Sequence, residues 1–428
     1  MILGSVSVAI LTACGGGGNG GGSSAPTQTG PIAASPLQVQ ATSYLNAKSI
    51  VEPSIIGTGI QGGIPSVHAY ADFEQNGHLS LVTHTLEYNA HGTNQNLNVG
   101  HVHVYHINAD NSLTEITSSI IDGDTSGCLH PRKAVVARFT GTSKPEVFFA
   151  CHGYDNTIDA NSPPGTHYGE MPYMLVAQSN GHYKMVQVNI PNLSDGLSNN
   201  QTEPYPYIHS ASAADLTGSG YADVVVADHQ SLAVNQPAIF VLKNPRDGST
   251  NFTADRSPMH QQLMPVSLAN LQAVWALELI DFDNSGHLEL WAAGQDAPSG
   301  TVTPTSFGEG LQSSTWPLTP DSSNRMTFAS TPHYTFPSDG TFSTPLDVVV
   351  KNGSAYFDRV PSDYSTSTVQ KVTYLNTSMI ATDISTHTGS YSGANCPFAT
   401  ATWIDWIRIN AGMIITDDSC RSPNVTVQ

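Results

Sequence analysis

Three stretches of the chain place oxygen-bearing side chains at alternate positions of a short loop. Asp281, Asp283, Ser285 and Glu289 occupy positions 1, 3, 5 and 9 of one, with Gly286 at position 6. Asp215, Thr217, Ser219 and Asp223 repeat the spacing around Gly220, and Asp72, Glu74 and Asn76 repeat it around Gly77. A loop of this kind wraps a hard cation. Oxygens at odd positions converge on one centre, a main-chain carbonyl adds a ligand at position 7, and glycine permits the sharp turn. Ca2+ is the expected ion, in a structural role, at one to three sites. His287 and Tyr221 stand at the seventh positions of the first two loops. Affinity rises with ligand charge, so the Asp281 loop, with three carboxylates, is the expected best site.

Weaker copies follow the same frame. Asp339, Thr341, Ser343 and Asp347 keep the oxygens without the sixth-position glycine. A further copy begins at Arg138 and ends at Glu146, where the guanidinium is expected to replace the ion and pair with the acid. Another begins at Asp405 and keeps only the first acid. First positions at 72, 138, 215, 281, 339 and 405 give steps of 66, 77, 66, 58 and 66 residues, a repeat long enough for four strands. Each loop is read as joining an apolar strand to a second one, such as Val224-Val225-Val226-Ala227. Continuous apolar runs suit strands buried on both faces. By contrast, His101, His103 and His106 alternate with apolar residues and read as a solvated strand face rather than a metal cluster.

The tandem loops, each followed by a Val-rich strand, together with His130-Pro131-Arg132-Lys133 ahead of one of them, resemble the FG-GAP/VCBS repeat family. The resemblance spans about residues 60 to 420. It implies an all-β propeller of six or, alternatively, seven four-stranded blades over residues 39–428, with calcium-type loops between first and second strands. A seventh blade would have to lie in the Ser/Thr-rich stretch 295–335. The segment Val39–Ile56 is a candidate for the missing outer strand of the last blade. The family implies a fold and calcium loops, not one activity.

With the loops on one face of the ring, the beginnings of first strands and the ends of second strands lie on the other. There the repeats align His152 with His229, each 14 residues past its anchor at 138 or 215. Tyr154, Asp155 and Asp228 sit beside them, and His130, Arg132, Lys133, His209, Trp275 and Trp403 hold places near the starts of first strands. Aromatic faces with amide and carboxylate neighbours suit a sugar, and His with Arg suits an acidic one. A binding module for glycan or protein is the first expectation. A polysaccharide lyase or hydrolase, with His152, His209 or His229 as base and Arg132 or Lys133 neutralising a carboxylate, is the second. An envelope scaffold is the third, and strand-end capping is the bland reading of the same residues. No nucleophile motif assigns a catalytic residue.

Composition limits the partners. The 428 residues carry 34 acids against 15 bases, a formal charge of −19, which argues against nucleic acid. Ile2–Leu11 is a short apolar run leading into Leu11-Thr12-Ala13-Cys14, which looks like a bacterial lipobox with Cys14 as the lipidated residue. Residues 15–38 read as a Gly/Ser/Pro-rich tether. The expected location is therefore the outer membrane, facing the periplasm or the cell surface. Cys128 and Cys151 bracket one anchor, and Cys396 and Cys420 bracket another in the same way. Two disulfides are expected in an oxidising compartment, with free buried thiols as the alternative.

Overall fold

Runs such as Val147-Phe148-Phe149 carry no polar alternation, so neither face of the strand can meet water. A computed structural model of the protein shows where both faces go. It describes residues 64–78, 80–88, 97–109, 113–153, 169–191, 206–228, 239–255, 274–282, 287–301, 306–320, 322, 326–351, 354–361, 366–375, 378–388, 401–406, 413–417 and 425–427. These form six antiparallel sheets arranged as a β-propeller, numbered here as blades 1 to 6 in chain order. Five have four or more strands and the sixth has three. The innermost strands are Ile64–Ala71, Pro131–Ala137, Ile208–Ala214, Ala276–Ile280, Thr344–Lys351 and Ala401–Trp406. Each lies beside the next, and the sixth returns to the first.

The apolar runs are explained by packing between blades. Phe149 of blade 2 packs with Val82 and Val104 of blade 1, whereas its neighbour Phe148 joins Val224 and Phe240 of blade 3. Val225 in turn faces Leu277 and Leu290 of blade 4. Successive residues of one strand thus fill opposite interfaces, which is why the second strands of blades 2, 3 and 4, Glu146–Cys151, Asp223–Asp228 and Glu289–Ala293, are buried along their whole length. Removing a fully buried Phe here would cost about 3–5 kcal/mol.

The loops beginning at 72, 138, 215 and 281 join first to second strands, as expected, and Asp405 closes the first strand of blade 6. Gly77 and Gly220 both have φ of 84°, the left-handed turn required at position 6. The fifth loop departs from the expectation. Asp347 and the valines after it belong to the first strand of blade 5, Thr344–Lys351, and that strand reaches its partner Ser354–Val360 through only two residues. The Asp339 segment therefore precedes the blade. The stretch expected as a possible seventh blade instead supplies outer strands of blade 4, Leu311–Pro320, Met326–Phe328 and Tyr334–Pro337. Among the described residues there are six blades. The segment 39–56, the lipobox with Cys14 and the tether lie outside them. No helix among them is long and apolar enough to cross a membrane.

Candidate functional site

One irregularity recurs at the same place in three consecutive first strands. The ladder slips between Pro65 and Val67, between Pro131 and Lys133, and between Ile208 and Ser210. The extra residue in each bulge (Ser66, Arg132, His209) lies six before its anchor at 72, 138 or 215. Trp275, six before Asp281, holds the corresponding place where the ladder of blade 4 ends. A bulge bends the strand and re-aims one side chain. Here it turns a series of polar and aromatic groups toward one end of the ring.

Those groups meet in series. Arg132 donates from its guanidinium to His209 Nε2 at 2.9 Å, and His209 Nδ1 donates to the Trp275 carbonyl at 2.6 Å. An arginine donor requires a lone pair on Nε2, so this imidazole is neutral with its proton on Nδ1. The His209 ring sits edge-on to Trp275 at 4.7 Å and to His152 at 5.2 Å. His152 lies against Tyr207 at 3.6 Å and edge-on to His130 at 4.8 Å, with the two Nδ1 atoms 3.4 Å apart. The Tyr207 amide donates to Asp228 Oδ1 at 2.9 Å. His130, His152 and His209 are each only 2 % exposed.

The backbone beneath this group is pinned. His152 donates its amide to the His130 carbonyl at 2.9 Å, and a disulfide joins Cys128 to Cys151 alongside. Cys128 gives its amide to His84 Nε2 at 2.8 Å. Leu129 gives its amide to the Glu170 carboxylate at 2.8 Å. Burial pushes Glu170 up to about 8, against the opposing pull of the Leu129 and His130 amides. Burial likewise holds His84 down to about 3 and His68 down to about 4.

Lys133 does not join the group at the mouth. Its ammonium reaches across the ring to Asp347 Oδ1 of blade 5 at 3.0 Å and also meets the Val348 carbonyl. Burial raises the carboxyls of Asp347 and of Glu278 on blade 4, and Lys133 opposes the rise in both. Ser212 of blade 3 donates to Glu278. Tyr154, Asp155 and His229 lie outside the described residues, as do Cys396 and Cys420, and of Trp403 only the strand backbone is described.

The turn loops differ in what their acids already hold. In the Asp215 loop, Asp215 accepts the amides of Ser219 at 2.9 Å and Gly220 at 2.6 Å. Asp223, 1 % exposed, accepts the Asn244 amide at 2.8 Å through Oδ1, while Oδ2 meets no donor in hydrogen-bonding geometry. Burial pushes Asp223 up to about 6; the Asn244 amide and Arg246 oppose this, and the Asp215 charge adds to it. In the Asp72 loop, Asp72 takes the Asn76 and Gly77 amides, and Glu74 is held by His106 at 2.7 Å and Ser80 at 3.0 Å. In the Asp281 loop, Asp283 and Ser285 lie outside the described residues, His287 is exposed, and Glu289 pairs with His333.

Two expected pairings are corrected. Glu146 does not bind Arg138, which is exposed; it accepts the amides of Phe139, Thr140 and Ala177 instead. Asp339 is held by Arg359, and Asp347 by Lys133, so these two acids share no loop. On the solvated strand, His103 pairs with Glu115 at 2.9 Å and His106 with Glu74. The partners of Glu289, Glu74 and Lys133 come from 44, 32 and 214 residues away, a separation that no local motif carries.

No family model matches the chain, and no curated protein matches it. Among solved structures, it is similar to a protein of Bacteroides uniformis provisionally named a 6-phosphogluconolactonase, at 10 % identity and a TM-score of 0.40, covering 85 % of this chain and 84 % of that one. It is also similar to a protein of Lactobacillus plantarum, at 12 % identity and 0.40, covering 82 % and 77 %. An exotype rhamnogalacturonan lyase follows at 12 % and 0.35, covering 82 % and 70 %. Likeness at this level concerns the fold alone.

Proposed function

We propose that this protein is a membrane-tethered binding module of the FG-GAP/VCBS kind. In this reading Cys14 carries a lipid anchor at the outer membrane, and the propeller holds an extracellular glycan or protein at its histidine-lined end. The observation that carries the reading is the convergence of His130, Arg132, His152, Tyr207, His209 and Trp275 from three consecutive blades. Trp275 is the half-buried ring of the group and can offer a face for stacking, while the buried histidines and Arg132 behind it fix its position, a combination that suits a sugar or a polar side chain. A base role for His209 is disfavoured because both of its ring nitrogens are engaged.

Ca2+ in this reading braces the opposite face. The Asp215 loop fits it best: Asp223 Oδ2 is buried outside hydrogen-bonding geometry, the kind of group a cation satisfies, while Glu289, whose Oε2 is placed likewise, is already paired through Oε1 with His333. Asp215, Thr217, Ser219, the Tyr221 carbonyl and Asp223 would hold the ion. Asp281, Asp283, Ser285, the His287 carbonyl and Glu289 form a second candidate, and Asp72, Glu74 and Asn76 a third. The bound ion would add stability by binding the folded state alone.

Retention on a panel of immobilised polysaccharides in calcium buffer, with released oligosaccharide assayed in the same wells, tests the proposal. Retention without release, lost in His152→Ala, is expected. Release would replace the binding reading with an enzymatic one, and silence in both assays would move the search to protein partners.

A further inference from the structure

Aromatic side chains recur just ahead of the first strands. His130, Tyr207 and Trp275 each stand one residue before theirs, in blades 2, 3 and 4, and Phe342 stands two before Thr344 of blade 5. Exposure grows along this arc. His130 and Tyr207 are buried, Trp275 is half-buried and Phe342 is 39 % exposed. A ligand arriving from solvent therefore reaches the rings of blades 4 and 5 before the histidines.

Phe342 is held in place against its own preference. Its φ of 54° lies in the left-handed region, where a bulky side chain crowds the backbone. Its amide donates to Asp296 Oδ2 at 3.3 Å, and the Asp296 amide donates to the Ser343 carbonyl at 3.0 Å. Asp296 is fully buried, and its Oδ1 stays outside hydrogen-bonding geometry. On the other side of Phe342, Thr341 and Asp339 are fastened to the buried Arg359. Neither the backbone strain nor the unsatisfied carboxylate oxygen helps the fold, and a ring so exposed buries too little area to offset them. The two accessible aromatics also flank one segment. Trp275 gives its amide to the Ala293 carbonyl at 2.9 Å, and Phe342 and Ser343 hold Asp296 three residues further on. Three residues reach at most about 10 Å, so both rings rise from one short stretch of the mouth.

We infer, on the binding reading proposed above, that Trp275 and Phe342 form a platform at the seam of blades 4 and 5 that stacks against sugar rings, so that the ligand is a glycan. A protein partner would need a contiguous apolar core around its anchor. Phe342 has none: Asp339 and Thr341 beside it are exposed. Among the described residues the other exposed large hydrophobics, Val99 and Ile380, belong to blade 1 and to the outermost strand of blade 5. A lone ring face with polar neighbours instead matches a sugar, whose C–H groups cover one face and whose hydroxyls point outward.

The test applies the full chain to the polysaccharide panel in calcium buffer, then measures affinity electrophoresis in gels cast with whichever member retains it. Phe342→Leu, which keeps an apolar side chain without a ring face, should weaken binding by about tenfold, and Phe342→Tyr should preserve it. Phe342→Gly should weaken binding as much while its Tm stays at or above that of the unmutated protein, because glycine adopts this φ freely. Ile380→Ala, at a side chain of similar exposure, should change nothing. Undiminished binding in the Leu or Gly variant, or a lower Tm in the Gly variant, would overturn the platform and leave the binding reading standing. An unmutated protein that no polysaccharide retains would bring down both.

Discussion

At position nine of the turn loops, Glu146 and Asp223 differ by one methylene, and the difference decides what each loop needs. The longer side chain reaches back to the amides of Phe139 and Thr140, at 2.8 Å each, and fills its own loop. The shorter one takes the Asn244 amide and feels that of Leu216, but its Oδ2 stays outside hydrogen-bonding geometry. Asp223→Asn is therefore expected to shrink the rise in Tm that wild type shows between chelator and millimolar Ca2+, and calorimetry in both buffers measures it. A rise of undiminished size would remove the Asp215 loop as the calcium site. Glu146→Gln, in contrast, should destabilise by about 1–3 kcal/mol with or without Ca2+, since it weakens a satisfied buried network. The alternating oxygens were legible in the sequence because loop and ligands are contiguous. Which acid stays available was not, because His106, His333 and Lys133 arrive from distant strands.

Among the elements, the first-to-second-strand hairpin is the unit that sequence reveals best, with its apolar run, loop and second apolar run all local. Blade 5 shows the limit of that legibility. Its first strand carries Val348-Val349-Val350 after an Asp-x-Thr-x-Ser segment, and a first strand buried on both faces has the same composition as a second. Arg359 then takes the acid that the pattern offers to an ion, holding Asp339 well below the usual carboxylate range despite its partial burial. The outer strands of blade 4 were hidden for another reason: residues 302–325 are rich in Ser, Thr and Pro and lack the apolar alternation that marks a strand. In blade 2 the hairpin is closed by Cys128–Cys151 across 23 residues, and opening that loop costs about 3 kcal/mol by chain entropy. A Cys128→Ser, Cys151→Ser double variant should lose about that much in urea denaturation. A loss near zero would mean that the amides held by His84 and Glu170 fix the segment unaided.

For the molecule as a whole, buried titratable groups of both kinds set the dependence of stability on pH. His68 and His84 fall from 6.5 to about 4 and about 3, so their contribution is complete above 6.5 and lost as pH drops toward those values. Glu170 and Asp223 rise to about 8 and about 6, so theirs is complete below the ordinary carboxylate range and lost as pH climbs through the raised values. The two trends cancel between about pH 4.5 and 6; Asp223 has then finished titrating while both histidines have not, so stability should peak near pH 6.5 and fall above it, and below about pH 4.5, by roughly 1.4 kcal/mol per pH unit for each group left unopposed. Chemical denaturation at intervals from pH 3.5 to 8.5 measures the profile, and a maximum above pH 7 would contradict it. Lys133→Met leaves Asp347 and Glu278 buried without their cation and should cost about 3–5 kcal/mol, measured in the same way. That bond has a mechanical meaning as well. The apolar interfaces join each blade to its neighbours, so a ring of them is a linear array bent round to meet itself, free in principle to fray one blade at a time. A link from blade 2 to blade 5 is a chord across that circle, tying two segments that no shared interface connects. The ring therefore melts as a single cooperative body while the chord holds, and cutting it at Lys133 is where partial unfolding would first become visible.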